Sequence, residues 1–344
     1  MTPLERTRAA LSHREGDRPP IFLLFTNHGA RELGLDIAEY CSKAAHLVEG
    51  QLRLRAKFGH DCLYAFFHAA VEHEAWGGHT RFIADGPPNS ADLLLQSAEQ
   101  IPRLEAPVIA DQPGLQRVLR AITALRERSR GEVPVLGVVL SPFSVPVMQL
   151  GFSGYLDLLL AAEAAPGGTA HALLERLLAV NADFAVRWGN AQLAAGATAV
   201  AYFDPLSSST ITSPSLGAAG LALATRVLAR LNGPAGLHFA SGKISSRLDA
   251  AISTGAALLG VSAEDDLADL KRRCAGKVAL LGNLDGVQMV HWTPAEAALH
   301  ARRALDAAAR GGGFILADNH GEIPFQVGDE VLHAIVETTA RWTS

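Results

Sequence analysis

The sequence predicts an α/β fold, a single (β/α)8 TIM-type barrel over residues 1–344 with an N-terminal helical extension. Apolar runs of strand length alternate with helical segments roughly eight times, and no linker rich in Gly, Ser or Pro divides the chain. Such alternation implies a parallel sheet covered by helices, and its count and length fit a closed barrel. A doubly wound open sheet is the alternative, but no G-x-G-x-x-G follows the first strand.

Composition indicates a chain with a large packed core. Apolar residues make up 49% and charged residues 19%, which argues against disorder. The net charge of −5 and the lack of a basic stripe argue against a nucleic-acid partner. No stretch reaches the ~18–20 apolar residues of a membrane span, and the charged start is unlike a secretory signal. With three widely spaced cysteines, these features predict a reduced, cytoplasmic protein that does not bind membranes.

The first half of the chain contains an amphipathic start and three apolar runs. Ile21-Phe-Leu-Leu-Phe25, which follows a proline pair and ends in Thr26-Asn-His-Gly29, is typical of a buried strand. The same reasoning gives helices at 2–11, 40–58 and 115–130, strands at 21–25, 61–67 and 133–140, and a hairpin arm at 80–83 followed by a loop at 85–89.

The second half repeats this alternation of strands and helices. The turn Trp292-Thr-Pro294 places proline at the start of a helical pattern, where it is well tolerated. The predicted helices are 170–195, 215–231 and 294–310, and the predicted strands are 197–203, 236–239, 257–261, 278–282 and 313–317.

Polar residues follow many of these strands, most clearly after the last one. That strand ends in Asp318-Asn-His-Gly-Glu322, and a barrel gathers such strand ends at the face where its chemistry occurs. The strand-end set is His28, His68, Asp204, His238, Asn283, Asp285, Asp318, Asn319 and His320. Neutral imidazoles beside carboxylates bind zinc and other divalent metals. They also act as general acids or as hydrogen-bond donors to an anionic substrate, and the spacing leaves these uses open.

A series of short motifs gives the chain a family resemblance over nearly its whole length. They are Gly16-Asp-Arg-Pro-Pro20, Ala75-Trp-Gly77, Ser141-Pro-Phe-Ser144, Tyr202-Phe-Asp-Pro205, Gly282-Asn-Leu-Asp285 and His320-Gly-Glu-Ile-Pro324. In this order the sequence resembles the uroporphyrinogen decarboxylase superfamily, which includes the corrinoid-dependent methyltransferases. The resemblance implies a (β/α)8 barrel with its site in the mouth, and commonly a homodimer.

The resemblance to true decarboxylases is incomplete. Their R-Q-A-G-R motif corresponds to Asn27-His-Gly-Ala-Arg31, which keeps only Arg31, and their essential aspartate corresponds to His68. A substrate with eight carboxylates would be poorly neutralised in such a site. We therefore expect the methyltransferase branch, exchanging a methyl group between a corrinoid (methylcobalamin or a corrinoid protein) and a small acceptor such as a thiol or tetrahydrofolate.

The zinc site that the resemblance would imply is also altered. In the thiol-specific methyltransferases an H-x-C pair and a later cysteine bind zinc; here His238 is kept, Ala240 replaces the first cysteine, and His320 stands where the later one would be. Zinc is thus left without its thiolate ligands. One alternative is a metal held by His238 and His320, helped by Glu322 or another strand-end group. The other is a metal-free site in which Asn319, His320 and Asp204 bind and protonate a partner such as a pterin nitrogen.

The resemblance and the strand ends together give a set of expected roles. The expected catalytic residues are His320, Asn319, Asp204 and His68, and the expected metal ligands are His238, His320 and Glu322. Substrate or cofactor binding is expected at Asn27, His28, Arg31, Ser141, Phe143, Tyr202, Asn283 and Asp285. We expect the corrinoid on a separate carrier protein, since no D-x-H-x-x-G module is present. Two alternatives remain: a decarboxylase of a porphyrinogen-like or smaller carboxylated substrate anchored by Arg31, and a non-catalytic tetrapyrrole- or metal-binding barrel.

Overall fold

A computed structural model describes residues 1–343 as eight parallel strands curled into a barrel and surrounded by helices, which confirms the predicted fold class. The strands are β1 Ile21–Phe22, β2 Leu63–Tyr64, β3 Thr80–Ile83, β4 Gly86–Ser90, β5 Val135–Leu140, β6 Ala199–Phe203, β7 Ala235–His238, β8 Leu258–Gly260, β9 Ala279–Leu284 and β10 Phe314–Asp318. The α-helices are α1 Pro3–Leu11, α2 His28–Leu33, α3 Ile37–Ser42, α4 Ala44–Phe58, α5 Ala70–Ala75, α6 Pro113–Arg128, α7 Pro146–Leu150, α8 Phe152–Ala164, α9 Thr169–Ala194, α10 Pro214–Leu228, α11 Leu248–Ile252, α12 Leu267–Cys274, α13 Pro294–Ala308 and α14 Asp329–Arg341. Within residues 1–343 none of these helices combines the length and the apolar character needed to cross a membrane.

The strand order explains how distant segments meet. The sheet runs β1-β10-β9-β8-β7-β6-β5-β2 with every neighbouring pair parallel, while β3 and β4 form a separate antiparallel hairpin. The two edge strands approach each other, and the Asp61 N–H donates to the Ile21 carbonyl at 2.8 Å. The carboxyl ends of the parallel strands therefore lie at one end of the barrel, which we call the mouth.

Several predicted bounds differ from the observed ones. β1 and β2 are shorter than the predicted 21–25 and 61–67, because each pairs with a neighbouring strand over two residues only. The predicted helix 40–58 is two helices, separated where Lys43 adopts an extended conformation. The predicted loop at 85–89 is the second arm of the hairpin, β4, whose prolines lie in a two-stranded ribbon.

The strands separate two apolar cores. In β6, Val200 and Tyr202 point outward into the large core between sheet and helices, while Ala199, Ala201 and Phe203 point into the barrel. This follows from the two-residue repeat of a strand. The inner core is small and is formed by Ala10, Phe22, Leu24, Cys62, Tyr64, Leu136, Val138, Leu281, Ile315 and Ala317.

The N-terminal helix covers the end of the barrel opposite the mouth. Helix α1 begins with a capping box between Thr2 and Glu5, and the Gly313 N–H donates to Ala10 O at 2.9 Å. Beside it, buried Asp61 accepts hydrogen bonds from Arg6 at 2.6 Å and from Arg18 at 2.6 and 3.0 Å. The Gly16–Pro20 motif therefore stabilises the end of the barrel opposite the mouth and does not contribute to the mouth.

Candidate active site

Hydrogen bonds join the loops that follow β7 to β10. The Ser241 hydroxyl lies 2.8 Å from Nδ1 of His320, and the Ser241 N–H donates to Asn319 O at 2.7 Å. The Ser262 hydroxyl donates to Ser241 O at 2.8 Å, and the Asn283 amide donates to Ser262 O at 3.0 Å. The structure therefore brings Asn283, Asn319 and His320 into one cluster at the mouth.

His238 is a neutral imidazole at the end of β7. Its Nδ1 accepts a hydrogen bond from the Ala240 N–H at 3.0 Å, so the proton of the neutral ring resides on Nε2. The ring stacks on Phe203 with centroids 4.6 Å apart. Burial, with a smaller contribution from His320, lowers the pKa of His238 to about 4, so it stays uncharged at neutral pH.

Asp318, the last residue of β10, is a carboxyl that titrates near neutrality. It is buried and accepts hydrogen bonds from the N–H groups of His320 and Gly321, both at 3.1 Å, and from that of Leu24 at 3.4 Å. Burial outweighs these bonds and raises the pKa of Asp318 to about 7. A carboxyl of this kind can give or take a proton at pH 7.

Glu322 lies on the other side of the same loop. Its Oε1 accepts a hydrogen bond from the Asn27 N–H at 2.6 Å, and burial raises its pKa to about 8. This contact links the loop after β10 to the segment after β1. It places Asn27 near the mouth, with its backbone engaged by the carboxyl of Glu322.

The segment that holds His320 is strained. Ala240 and Ser241 both have positive φ angles, 44° and 69°, which residues with a Cβ adopt rarely. The hydrogen bonds of Ser241 to Asn319 and His320 hold this conformation, and strain of this kind clusters at functional sites. His320 itself is exposed, and its pKa is lowered mainly by desolvation. Sequence reasoning missed Ser241, and no local pattern in the sequence marks it.

An apolar cavity lies directly below this cluster. Its volume is about 370 Å³, it occupies the inside of the barrel, and His238, Asp318 and Phe203 line its mouth end. Sequence reasoning also missed Phe203, although the alternation along β6 marks it: since Tyr202 points outward, Phe203 must point inward. The polar cluster therefore borders an apolar space.

The structure places Asp204 outside this cluster. Its carboxylate accepts hydrogen bonds from the hydroxyls of Ser144 at 2.7 Å and Ser207 at 2.5 Å, and it is fully buried. Asp204 does not line the cavity inside the barrel, whereas Asp318 does. Burial raises the pKa of Asp204, against the effect of these hydroxyls.

Three expected substrate-binding residues lie outside the cavity as well. Ser141, Phe143 and Tyr202 are fully or almost fully buried, and Phe143 and Tyr202 belong to the core between sheet and helices. The Ser141 hydroxyl accepts a hydrogen bond from the Phe143 N–H at 3.0 Å. These side chains support the strand ends and lie away from the cavity lining.

Arg31 and His28 hold the segment that precedes α14. The Arg31 guanidinium donates to the carbonyls of Phe325 and Val327, pairs with Asp329 at 3.7 Å and stacks over the Phe325 ring at 4.7 Å. His28 is buried, with Nε2 3.3 Å from Val327 O, and burial lowers its pKa to about 4. Both side chains therefore make their polar contacts with the segment that precedes α14.

His68 and Asp285 lie at different edges of the mouth. His68 is buried with its ring edge-on to Phe82 of the hairpin, centroids 5.6 Å apart, and burial lowers its pKa to about 3. Asp285 accepts a hydrogen bond from the Gln288 N–H at 3.1 Å. Its charge opposes the lowering of the His320 pKa, which places it on the His320 side.

The donor set of the mouth does not fit a zinc ion. Throughout residues 1–343, no three side chains of His, Cys, Asp or Glu are grouped so that they could bind one metal. Nδ1 of His238 and Oε1 of Glu322 already accept main-chain hydrogen bonds, and the three cysteines are buried thiols. A structural or catalytic zinc site needs at least three protein ligands, which the described residues of the mouth do not supply.

Comparison with known proteins gives matches along the whole chain. The family model described as Uroporphyrinogen decarboxylase (URO-D) matches residues 2–342. The uroporphyrinogen decarboxylase of Idiomarina loihiensis is 26% identical, over 98% of this chain and 96% of the relative, and that of Serratia proteamaculans is 28% identical, over 88% and 84%. Among solved structures, a methyltransferase from Methanosarcina mazei superposes with a TM-score of 0.84 at 20% identity, covering 98% of both chains. At that identity the superposition establishes a shared fold.

Proposed function

Because the chain belongs to the uroporphyrinogen decarboxylase family, as its motifs predicted, we propose that it is a carboxy-lyase acting on a small substrate with few carboxylates. The names of its curated relatives support this class of reaction over the methyl transfer expected from the sequence. The observation that carries the proposal is the position of Asp318, a buried carboxyl with a pKa raised to about 7 at the boundary of the polar cluster and the apolar cavity.

The proposed reaction needs an apolar surrounding and a proton. When the bond between carbon and carboxylate breaks, CO2 leaves and an electron pair remains on carbon. Apolar walls destabilise the charged carboxylate more than the charge-dispersed transition state. Protonated Asp318 then gives its proton to that carbon, a C–H bond forms, and the carboxylate regains a proton from water. Nε2–H of His238 and the ring of His320 act as hydrogen-bond partners that orient the substrate.

The arginines near the strand ends limit the charge of the substrate. Arg31 is occupied by the carbonyls of Phe325 and Val327, and Arg247 donates to the carbonyls of Ser207 and Ser208. Bidentate arginine pairs are the usual partners of substrate carboxylates. With these two guanidiniums engaged by the chain itself, a substrate bearing one or two carboxylates fits better than one bearing eight.

The test is release of CO2 from a panel of carboxylated substrates. We expect turnover of a monopyrrole with one acetate side chain to exceed that of uroporphyrinogen, and Asp318→Asn to reduce it by about 10²-fold or more. Asp157→Asn, an identical change at an exposed site on α8, is the matched control. Absence of CO2 from every substrate would overturn the proposal, and faster turnover of uroporphyrinogen would refute the inference about charge.

Methyl transfer between a corrinoid and a small acceptor is the second candidate. It is favoured by exposed His320, whose Nδ1 lies 2.8 Å from the Ser241 hydroxyl while Nε2 remains available to a ligand. Such a group could protonate a pterin nitrogen and so assist loss or gain of its methyl group, with the corrinoid supplied by a separate carrier protein. Spectral conversion of methylcobalamin in the presence of a thiol or tetrahydrofolate, without CO2 release, would select this candidate over the first.

A further inference from the structure

The barrel of this protein is hollow. The interior of a TIM barrel is ordinarily filled by layers of bulky branched side chains. Here small residues occupy many inward positions: Ala199, Ala201, Gly236, Gly260 and Ala317. The resulting cavity has a volume of about 370 Å³, and Ala199 and Ala201 are partly exposed although they lie inside the barrel.

The wall of the cavity is made almost wholly of carbon. Its larger side chains are those of Phe22, Leu24, Tyr64, Leu136, Phe203, Leu258, Leu281 and Ile315. An apolar cavity of about 150 Å³ stays dry and binds benzene, and this one has more than twice that volume. Atoms of the cavity wall that face empty space lack van der Waals contacts, and an apolar ligand would supply them.

The two ends of the cavity differ in chemistry. At the amino end, Leu4, Thr7 and Leu11 of α1 line the cavity, and exposed Arg8 lies at its rim. At the mouth end, the lining includes the polar side chains of His238 and Asp318. A Cβ on Gly260 would lie 2.4 Å from the His238 ring, so the glycine is what allows the imidazole to sit there. The site is thus built to receive a hydrogen-bonding group at one end and hydrocarbon along its length.

We propose that the interior of the barrel is a binding site for the hydrocarbon part of an amphiphilic ligand, a ring system or short chain, whose polar group meets His238 and Asp318. The ligand lies inside the sheet, between the mouth and α1. The binding stands on the cavity and its lining, and it does not depend on whether Asp318 takes part in catalysis.

The experiment uses the full-length protein and 2-naphthol, followed by fluorescence and calorimetry. We expect saturable binding of one molecule per chain, and no binding of naphthalene-2,6-disulfonate, whose two charges the apolar wall excludes. Naphthalene should bind about fivefold more weakly than 2-naphthol, because it lacks the hydroxyl and so loses one ordinary hydrogen bond. Absence of saturable 2-naphthol binding would overturn the proposal, and equal affinity for naphthalene would refute the polar end.

Blocking the cavity separates this site from binding elsewhere. Ala201→Leu adds a branched side chain to the middle of the barrel and should weaken 2-naphthol binding at least tenfold. Ala219→Leu, the same change on the exposed face of α10, should leave the affinity unchanged. Because Ala201→Leu fills an existing void, its unfolding temperature should equal or exceed that of the wild type. A folded Ala201→Leu protein with wild-type affinity refutes the site; should this variant not fold, Ala199→Val is judged by the same criterion.

Discussion

Replacing Asp318 by asparagine tests both the electrostatics of the mouth and the proposed general acid. The side chain is 3% exposed, and burial raises its pKa from the ordinary 3.8 to about 7. At about 1.4 kcal/mol for each pKa unit, this rise corresponds to about 4 kcal/mol of folding free energy. Asparagine has nearly the same shape and cannot ionise.

The direction in which stability changes with pH follows from the proton that Asp318 retains in the folded chain. Between pH 4 and 7 the unfolded chain loses the proton of Asp318 while the folded chain keeps it, so this contribution to stability is full below about pH 4 and is lost above about pH 7. The asparagine amide keeps two of the three main-chain hydrogen bonds, at a cost of about 1 kcal/mol. We therefore expect Asp318→Asn to be about 1 kcal/mol less stable than wild type at pH 4 and about 3 kcal/mol more stable at pH 8.

The assay is urea unfolding of both proteins between pH 4 and 8. Burial also raises the pKa values of Glu72 and Glu322 to about 8, and taking the difference cancels the contribution of Glu72. The contribution of Glu322 cancels except for the part of its pKa rise that comes from the charge of Asp318. A difference that does not change with pH would show that Asp318 has an ordinary pKa. CO2 release by the wild-type protein should also fall as the pH rises through about 7. If Asp318→Asn still turns over substrate with the same pH profile, Asp318 is not the general acid.

Four further substitutions test three places: the end of the barrel opposite the mouth, the turn before the last strand, and the mouth. Asp61→Ala leaves Arg18 without its carboxylate, while Arg6 keeps its ion pair with Asp17. It should therefore lower the free energy of unfolding by about 3 kcal/mol, the low end of the range for a broken buried ion pair, as measured by urea unfolding. A loss below about 1 kcal/mol would contradict the network. Gly311→Ala should lower the free energy of unfolding by about 1–2 kcal/mol because of its positive φ. Gly312→Ala has a similar φ, but its Cβ would also lie 2.4 Å from the carbonyl oxygen of Arg14, so the loss should be clearly larger. Equal losses would refute the steric argument. His320→Ala, at an exposed site, should change stability by less than about 0.5 kcal/mol yet lower turnover at least tenfold, and unchanged kinetics would exclude it from the reaction.

The structure confirms most of what the sequence predicted about the fold. The alternation of strands and helices is a local property, since it reflects the periodicity of hydrophobic residues and the positions of turn residues. It was sufficient to predict the parallel barrel. The polar ends of β7, β9 and β10 were also predicted, and the structure brings His238, Asn319 and His320 to the mouth. The topology alone requires this, because parallel strands end at one face.

Tertiary structure decided which polar groups face the cavity. The side of a strand on which a residue lies changes with each position, so placing Asp318 at the cavity and Asp204 away from it requires the register of the sheet. Arg31 resembles a substrate anchor in sequence, and only the folded chain shows the carbonyls of Phe325 and Val327 that occupy it.

The family, the barrel and the end of the barrel where polar groups gather can all be predicted from the sequence, because they depend on the order of local patterns along the chain. The folded structure decided that Asp318 titrates near pH 7, that Ser241 holds His320, and that the barrel is hollow. Burial, desolvation and unfilled volume arise from atoms distant in sequence. No local pattern records them.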